Sequence, residues 1–298
     1  MKTWKWWIRG GLLVAGAPSL TGCCFAGGTG GNCGKSEVVP WAEKFPNGGA
    51  YDGGHIEYAD CQSLCSDGGF TNCSPADAGL LRCTIQCVGG RAPPGLASLS
   101  KVGDSAGAWV ARMAELETAA VLAFNQLSDE LEVHGLHAHA HHARLAALDE
   151  VRHAQAVTRL ALRMGHCPAP LRLAGTPEPR SLEALALDNA GEGCGRELYG
   201  ATLNQWQATH ATDASVRHVM GSIAVEERQH AEWSFALAQT LEARLPLALR
   251  RRAREAQERT LALLGAEEVP RAVREPLGLM DGEEASRTVK RLLDDARL

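Results

Sequence analysis

The fold of this chain is decided by LDEVRH at residues 148–153 and by a second occurrence of the same pattern, VEERQH at residues 225–230. Each stretch holds a glutamate and, three residues later, a histidine, inside a long run that predicts a helix. Residues three apart lie on the same face of a helix, so each stretch can direct a carboxylate and an imidazole toward one point. The pairs are Glu150 with His153 and Glu227 with His230.

Four long segments with few helix-breaking residues follow one another between residues 109 and 244. Apolar residues recur along each segment in steps of three and four, as on the buried face of a helix. Short links at residues 132–135 and 212–213 join neighbours, and a proline-rich stretch at 165–180 is long enough to cross a bundle. Two helical hairpins joined by one long crossover are the ferritin-like form of the four-helix bundle. The sequence therefore predicts an all-α fold.

Side chains that can bind metal fall on the apolar stripe of every segment. These candidates are Glu117, Glu150, His153, Glu197, Glu227 and His230. A buried carboxylate without a partner is costly, and residues on a solvated face would not share the phase of the core. Two divalent cations would compensate for the four carboxylates, and oxygen with imidazole ligands favours iron or manganese. These six residues are the predicted metal ligands.

The third segment offers a second carboxylate, Glu192. It falls off the stripe formed by Ala190, Cys194 and Ala201, whereas Glu197 lies on that stripe. Glu197 is the preferred ligand, and Glu192 stays the alternative.

Four motifs resemble those of the ferritin-like di-iron carboxylate superfamily, in the branch found in bacterial envelope proteins. They are ETAAVLAF at 117–124, DEVRHA at 149–154, EGCGRE at 192–197 and EERQHA at 226–231. The resemblance covers residues 109–240 and implies a site for two iron or manganese ions. It implies that Glu117 and Glu197 are terminal ligands, that Glu150 and Glu227 bridge the metals, and that His153 and His230 each bind one ion.

Several polar residues near these motifs allow two interpretations. Asp149 and Glu226 each precede a predicted ligand histidine by four residues, so they either orient an imidazole or belong to the helix surface. Cys194 is expected to act as a small buried apolar residue, although it is close enough to approach the site. The five histidines between residues 134 and 142 are expected to be solvated, with a metal-entry funnel as the alternative.

The amino terminus resembles a bacterial lipoprotein signal. Three basic residues in the first nine precede an apolar run at 11–17, and Leu20-Thr21-Gly22-Cys23 looks like a lipobox. We expect residues 1–22 to be a signal peptide and Cys23 to be lipidated; an ordinary secretory signal cut nearby is the alternative. The expected location is the cell envelope, anchored to a membrane on its periplasmic or outer face.

Eight of the ten cysteines lie in the first 87 residues, which favours an oxidised module ahead of the helical part. We expect a glycine-rich tether at 23–60, a disulfide module at 61–87 and a linker at 88–108. The three-residue gaps in Cys61-x3-Cys65 and Cys83-x3-Cys87 place each pair on one helical face. Bonds 61–87 and 65–83, with Cys73 left for Cys33 or Cys24, are one pairing among many. A metal centre is the less favoured reading, because most zinc knuckles have two-residue gaps.

The last part of the chain, residues 245–298, predicts a helical extension packed against the bundle. Pro246 is well placed to open a helix over 247–264, and a final helix is expected near 284–298. The basic residues of the first of these helices could attract anionic lipid, but nearby acids dilute that charge.

These features predict an exported, lipid-anchored protein with a di-metal carboxylate site. We expect an oxygen- or peroxide-dependent oxidoreductase, ferroxidase-like or oxygenase-like, whose partners are the membrane and a small-molecule oxidant. The alternative is a non-catalytic interaction or structural lipoprotein of the envelope that keeps a structural metal pair. The formal net charge of -5 gives no support for nucleic-acid binding, and with the export signal it counts against a cytoplasmic-type hydroxylase. The sequence is also compatible with a homodimer.

Overall fold

The structure is a computed structural model that describes residues 36–40, 72–76, 80–84, 91–93, 96, 105–171, 178–266 and 269–295. The predicted signal peptide, the lipidation site Cys23, and the cysteines Cys61, Cys65 and Cys87 lie outside the described residues. The predictions that concern them therefore stay predictions.

Three short strands precede the helices. They are β1 (Ser36–Pro40), β2 (Asn72–Ala76) and β3 (Leu80–Thr84), which form an antiparallel sheet in the order β1-β3-β2. The register of β2 and β3 places Cys73 opposite Cys83. The prediction of a helical turn beginning at Cys83 is therefore wrong. A gap of three residues puts two side chains on the same face of a strand as well as of a helix, so this spacing cannot distinguish the two.

From residue 105 onward, all the regular secondary structure in the described residues is helical. The elements are α1 (Ala106–Val133), α2 (His137–Arg163), α3 (Leu182–Asp188), a π-helical segment (Asn189–Glu197), α4 (Leu198–His210), α5 (Ala214–Glu242), α6 (Leu247–Gly265), α7 (Arg271–Leu277) and α8 (Gly282–Asp295). Within the described residues, no helix is both long enough and apolar enough to cross a membrane.

Local sequence signals explain where these helices begin. The Ser105 side chain caps α1 by accepting from the Ala108 amide, and Asp213 caps α5 by accepting from the Ser215 and Val216 amides. Pro246 stands at the start of α6, as predicted. The turn between α1 and α2 contains Gly135 with φ of 69°, a conformation that glycine adopts without steric cost.

The long helices pack in pairs. α1 lies against α2, the π-helical segment and α4 lie against α5, and α2 contacts α5. Apolar side chains form one cluster around Met113, Leu160 and Met220 and a second around Phe124, Ala143 and Leu237. The six predicted metal ligands fall between these clusters in the sequence of each long segment. They therefore occupy a polar layer between two apolar ones.

Ion pairs hold the end of the crossover that leads from α2 to α3. Arg180 donates from Nη2 to Glu130 Oε2 at 2.7 Å and pairs through Nη1 with Asp188 Oδ1 at 2.9 Å. At the other end, the Ala169 amide donates to Glu115 Oε1 at 2.8 Å. These contacts join the crossover to α1 and to the start of the third long segment.

The carboxy-terminal extension is helical, as predicted. α6 packs on the π-helical segment, α8 packs on α6, and α7 contacts α1. A third apolar cluster forms where α4 meets this extension and includes Tyr199, Leu203, Leu264, Met280 and Val289. The extension therefore covers the third long segment.

Replacing Leu160 with alanine tests the first apolar cluster. Leu160 is 1% exposed, so we expect the substitution to lower the free energy of unfolding by about 2–5 kcal/mol. The matched control is Leu148→Ala on the same helix, where the side chain is 59% exposed and we expect a change within about 0.5 kcal/mol. Urea denaturation followed by circular dichroism measures both, and equal losses would contradict the packing described.

Candidate metal centre

The structure brings all six predicted ligand residues together. They form two overlapping groups, Glu117–Glu150–His153–Glu227 and Glu150–Glu197–Glu227–His230, and the ligand atoms of each group lie within 4.8 Å of one another. Glu150 and Glu227 belong to both groups. All six residues are buried. The Glu/His clusters could hold metal ions, with two carboxylates shared between two positions.

The imidazoles point their Nδ1 atoms into this layer. His153 Nδ1 lies 3.1 Å from Glu227 Oε1 and 3.5 Å from Glu150 Oε2. His230 Nδ1 lies 3.1 Å from Glu150 Oε1. Each histidine thus approaches the glutamate of the other Glu-x-x-His pair, which places the shared carboxylates between the two rings.

The ligand atoms face one another without well-aligned hydrogen bonds. Among the described side chains, buried atoms that lack a hydrogen-bond partner include Glu117 Oε2, both carboxylate oxygens of Glu150, Glu197 Oε2, and the Nδ1 atoms of His153 and His230. Buried polar groups are normally paired, and several orphaned acceptors in one place are costly. Divalent cations would satisfy oxygen and imidazole donors together, so the residues fit a pair of metal ions.

The pKa values of the buried carboxyls do not all shift in the same direction: those of Glu117 and Glu197 rise, whereas that of Glu150 falls. Burial, reinforced by the charges of Glu150 and Glu227, raises the pKa of Glu117 well above its usual range. Burial and the same two charges also raise the pKa of Glu197. Burial alone would raise the pKa of Glu150, but the two imidazoles directed at its oxygens outweigh it and hold that pKa at about 2.

The imidazoles are shifted toward their charged form. Burial alone would lower the pKa of His153, but Glu150 and Glu227 outweigh it and raise that pKa to about 12. His230 also has its pKa raised well above the usual range, because Asp149 and Glu150 outweigh the opposing effect of burial. In the metal-free layer, these shifts favour bound protons on Glu117, Glu197 and both histidines.

A second set of carboxylates fixes the orientation of the histidine rings. His153 Nε2 lies 2.7 Å from Glu226 Oε2, and His230 Nε2 lies 3.2 Å from Asp149 Oδ2. Asp149 and Glu226 were candidates for orienting the histidine four residues later on their own helix. The structure instead pairs each with the histidine of the opposite helix, because the inward Nδ1 turns Nε2 toward the neighbouring helix. With Nε2 bonded to a carboxylate, Nδ1 is left to bind metal.

Arg152 joins these outer carboxylates at the surface. Its Nη2 donates to Glu226 Oε1 at 2.6 Å and also to Asp149. One guanidinium therefore links α2 to α5 beside both histidine contacts.

The π-helical segment decides between the two glutamates of the third long segment. Glu197 belongs to a metal-capable group. Glu192 is engaged elsewhere, since its Oε2 accepts from Arg196 Nε at 3.1 Å and from the Ala92 amide at 3.1 Å. The geometry therefore favours Glu197. Single turns of π-helix are frequent at functional sites, and the sequence analysis missed this one; its glycine-rich run NAGEGCGRE is the only local signal.

Arg91 is a further residue that the sequence analysis missed. It was assigned to the linker at 88–108, yet it is 1% exposed and its backbone amide donates to Glu197 Oε1 at 3.0 Å. An isolated arginine in a stretch rich in glycine and proline has no periodicity that could have indicated this position.

Cys194 and the histidine cluster take no part in the metal-capable groups found among the described residues. Cys194 is buried, and burial raises the pKa of its thiol to about 12, which fits the small apolar role expected of it. In the histidine cluster, His134 Nε2 lies 2.7 Å from the Arg180 carbonyl oxygen and His139 Nε2 lies 2.9 Å from Thr240 Oγ1. These histidines thus make separate contacts, and the metal-entry alternative gains no support.

A narrow pocket reaches the layer from the side of the carboxy-terminal extension. Its volume is about 40 Å³, and its lining includes Glu117, Glu197 and Glu227. Apolar side chains line most of the rest, including Trp109, Met113, Leu203, Leu264, Leu279 and Met280. A space of this size holds a few water molecules, and three of the six candidate ligands line it.

In comparisons with known proteins, no model of a protein family, no curated protein and no solved structure matches this chain. The assignment of the site therefore rests on its residues and geometry.

Replacing Glu197 with glutamine tests the choice between the third-segment carboxylates. We expect Glu197→Gln to weaken metal binding about 10–100-fold or more, because it removes a charged ligand. The matched control, Glu192→Gln, keeps a polar side chain between Arg196 and Ala92 and should bind about as much metal as the native chain. Equilibrium dialysis with elemental analysis measures both. Loss of metal in the Glu192 variant alone would reverse the assignment.

Proposed function

We propose that this protein is a ferritin-like di-metal carboxylate protein, an oxygen- or peroxide-dependent oxidoreductase of the cell envelope. The observation that carries the proposal is the pair of overlapping ligand groups that share Glu150 and Glu227. Two hairpins of long helices and a long crossover support the ferritin-like four-helix bundle. Iron is the metal we favour and manganese is the alternative, because both accept mixed carboxylate and imidazole ligands.

The charges of the layer support a pair of divalent ions. Four glutamates and two histidines form the layer, and four ionised carboxylates with neutral imidazoles would balance two doubly charged cations. Glu117 with His153 would complete one position and Glu197 with His230 the other, while Glu150 and Glu227 would serve both. Redox-active ions held there would supply two electrons, which together with two protons suffice to reduce dioxygen to hydrogen peroxide, or hydrogen peroxide to water.

The surrounding residues define what the protein itself contributes. The outer carboxylates Asp149 and Glu226 keep both rings oriented, with Nδ1 directed inward. The apolar clusters on either side separate the layer from the two ends of the long helices. Burial favours the neutral form of Glu117 and Glu197 in the metal-free layer, so metal ions bound there would have to compete with protons for these two carboxyls.

The pocket favours a small oxidant over a bulky substrate. A volume of about 40 Å³ accommodates dioxygen, hydrogen peroxide or water but no large organic molecule. This supports ferrous oxidation or peroxide removal ahead of hydroxylation of a large substrate.

The envelope location rests on the sequence alone. The basic start, the apolar run and the lipobox-like Leu20-Thr21-Gly22-Cys23 support export and lipidation of Cys23. An anchored protein of this kind would meet oxidants outside the cytoplasm.

An oxidation assay tests the redox proposal. The full chain would be loaded anaerobically with ferrous iron and exposed to air or hydrogen peroxide while its absorbance is followed. We expect about two irons per chain, in line with the two ligand groups, and a rapid absorbance change on oxidation. Glu150→Ala and His230→Ala should each slow that change by about 10–100-fold or abolish it, because each removes a ligand.

His218→Ala provides the matched control, since His218 is exposed on the same helix as His230 and should behave like the native chain. Two bound metals with no reaction toward oxygen or peroxide would favour the non-catalytic envelope lipoprotein. Absence of bound metal would exclude both hypotheses, the redox enzyme and the lipoprotein with a structural metal pair.

Metal binding should release protons. Glu117, Glu197, His153 and His230 all have raised pKa values in the metal-free layer, so a metal must compete with protons for these groups. We expect protons to be released when metal ions bind, and the apparent affinity to fall as the pH is lowered. Titration calorimetry in buffers of different ionisation enthalpy measures the number of protons released. A binding enthalpy independent of the buffer would contradict the protonation described.

A further inference from the structure

The segment Arg91–Pro93 docks against the metal-ligand layer, well before α1 begins. Arg91 Nη1 donates to Asp188 Oδ2 at 3.0 Å, and Nη2 donates to Asn189 Oδ1 at 2.9 Å. Its guanidinium carbon lies 5.4 Å from the centre of the Phe124 ring, and that ring lies 5.3 Å from the His230 ring. A buried guanidinium is tolerated only when it is paired and hydrogen-bonded, so these contacts fix the place of the segment.

The space for this docking is provided by the π-helical segment. A Cβ atom placed on Gly193 would lie 2.4 Å from Arg91 Nη2 and 2.6 Å from Asn189 Oδ1. Any larger residue there would displace the guanidinium. The glycine and the arginine are therefore complementary in shape.

The backbone of the segment holds both glutamates of the π-helical segment. The Arg91 amide donates to Glu197 Oε1 at 3.0 Å, and the Ala92 amide donates to Glu192 Oε2 at 3.1 Å. The other oxygen of Glu197, Oε2, lies 4.0 Å from His230 Nδ1 and is among the buried atoms without an aligned hydrogen bond. One oxygen of Glu197 is thus fixed by an amide, and the other is left for a metal.

We propose that Arg91–Pro93 is a positioning segment for one of the two metal positions, the position formed by Glu150, Glu197, Glu227 and His230. This inference rests on the proposed two-metal site. The Arg91 amide stabilises the ionised form of Glu197, the form that binds metal. The contacts of Arg91 lie on the third long segment and beside His230, so the two metal positions have different surroundings. Undocking of the segment lowers the affinity for the ion at the His230 position and leaves the ion at the His153 position bound.

The coupling is reciprocal. If docking of the segment raises the affinity for the second ion, binding of that ion must tighten the docking by the same factor. Residue 91 also lies where the amino-terminal part of the chain joins the helical part. The metal position is therefore linked to the segment through which the amino-terminal part is attached.

Metal binding to the full chain and its variants tests the proposal with zinc, which does not change oxidation state. Arg91→Pro removes both the amide and the guanidinium, whereas Arg91→Ala keeps the amide. Arg180→Ala is the matched control, because it removes the other guanidinium from Asp188 at a site whose described contacts include none of the six ligands. Equilibrium dialysis over a range of free zinc concentrations measures the two stepwise dissociation constants.

We expect the native chain and Arg180→Ala each to bind two zinc ions, and each dissociation constant to be similar in the two proteins. Arg91→Pro should bind the second ion about 10–100-fold more weakly, the usual effect of losing a contact to a metal ligand, while the first ion is unchanged. Arg91→Ala should fall between them. Equal weakening of both ions, no weakening in Arg91→Pro, or the same weakening in Arg180→Ala would overturn the proposal.

Hydrogen exchange on the native chain tests the same proposal without a substitution. Zinc should slow exchange of the Arg91 amide, and an exchange rate unchanged by two bound zinc ions would overturn it. A native chain that binds fewer than two ions would instead contradict the two-metal site. A native chain that binds two ions but does not react with oxygen or peroxide would contradict only the redox function.

Discussion

The burial of four carboxylates and two imidazoles in one layer is the constraint on which the rest of the structure depends. Such a layer is unfavourable unless opposite charge compensates it. Without metal, the raised pKa values of Glu117, Glu197 and both histidines favour bound protons as that compensation. Divalent ions would provide it in place of protons. Protons and metal ions therefore compete for the same layer.

Keeping these groups together requires each long segment to stay in register with the others. The Asp213 cap fixes where α5 begins, and Gly135 forms the turn between α1 and α2. Arg180, at the end of the crossover, forms ion pairs with Glu130 and Asp188. The crossed contacts of Asp149 and Glu226 then join α2 to α5 beside the layer. Register and ring orientation are thus fixed by residues outside the candidate ligand set.

The helices and the six candidate ligands could be predicted because both depend on spacing within one helix. Glu150 and His153, for example, are three residues apart and must share a face. Contacts between segments follow no such rule, so the crossed pairing of Asp149 with His230 and the docking of Arg91 were missed. The π-helical segment was missed because its turn departs from the α-helical period. Cys83 was assigned to a helix because a gap of three residues fits one face of a helix, but that gap fits one face of a strand equally well.

The asymmetry of the layer bears on what the site is for. A metal pair that only stabilised the helices would need the six ligands and two apolar clusters around them. This site also has a pocket that reaches Glu117, Glu197 and Glu227, and an amide from a distant segment that engages Glu197. The proposed redox function would need small molecules to reach the ligands, whereas the alternative, a structural metal pair, would not. The pocket and the Arg91 contact therefore bear on different questions: the pocket on access to the layer, and the amide on the difference between its two ends.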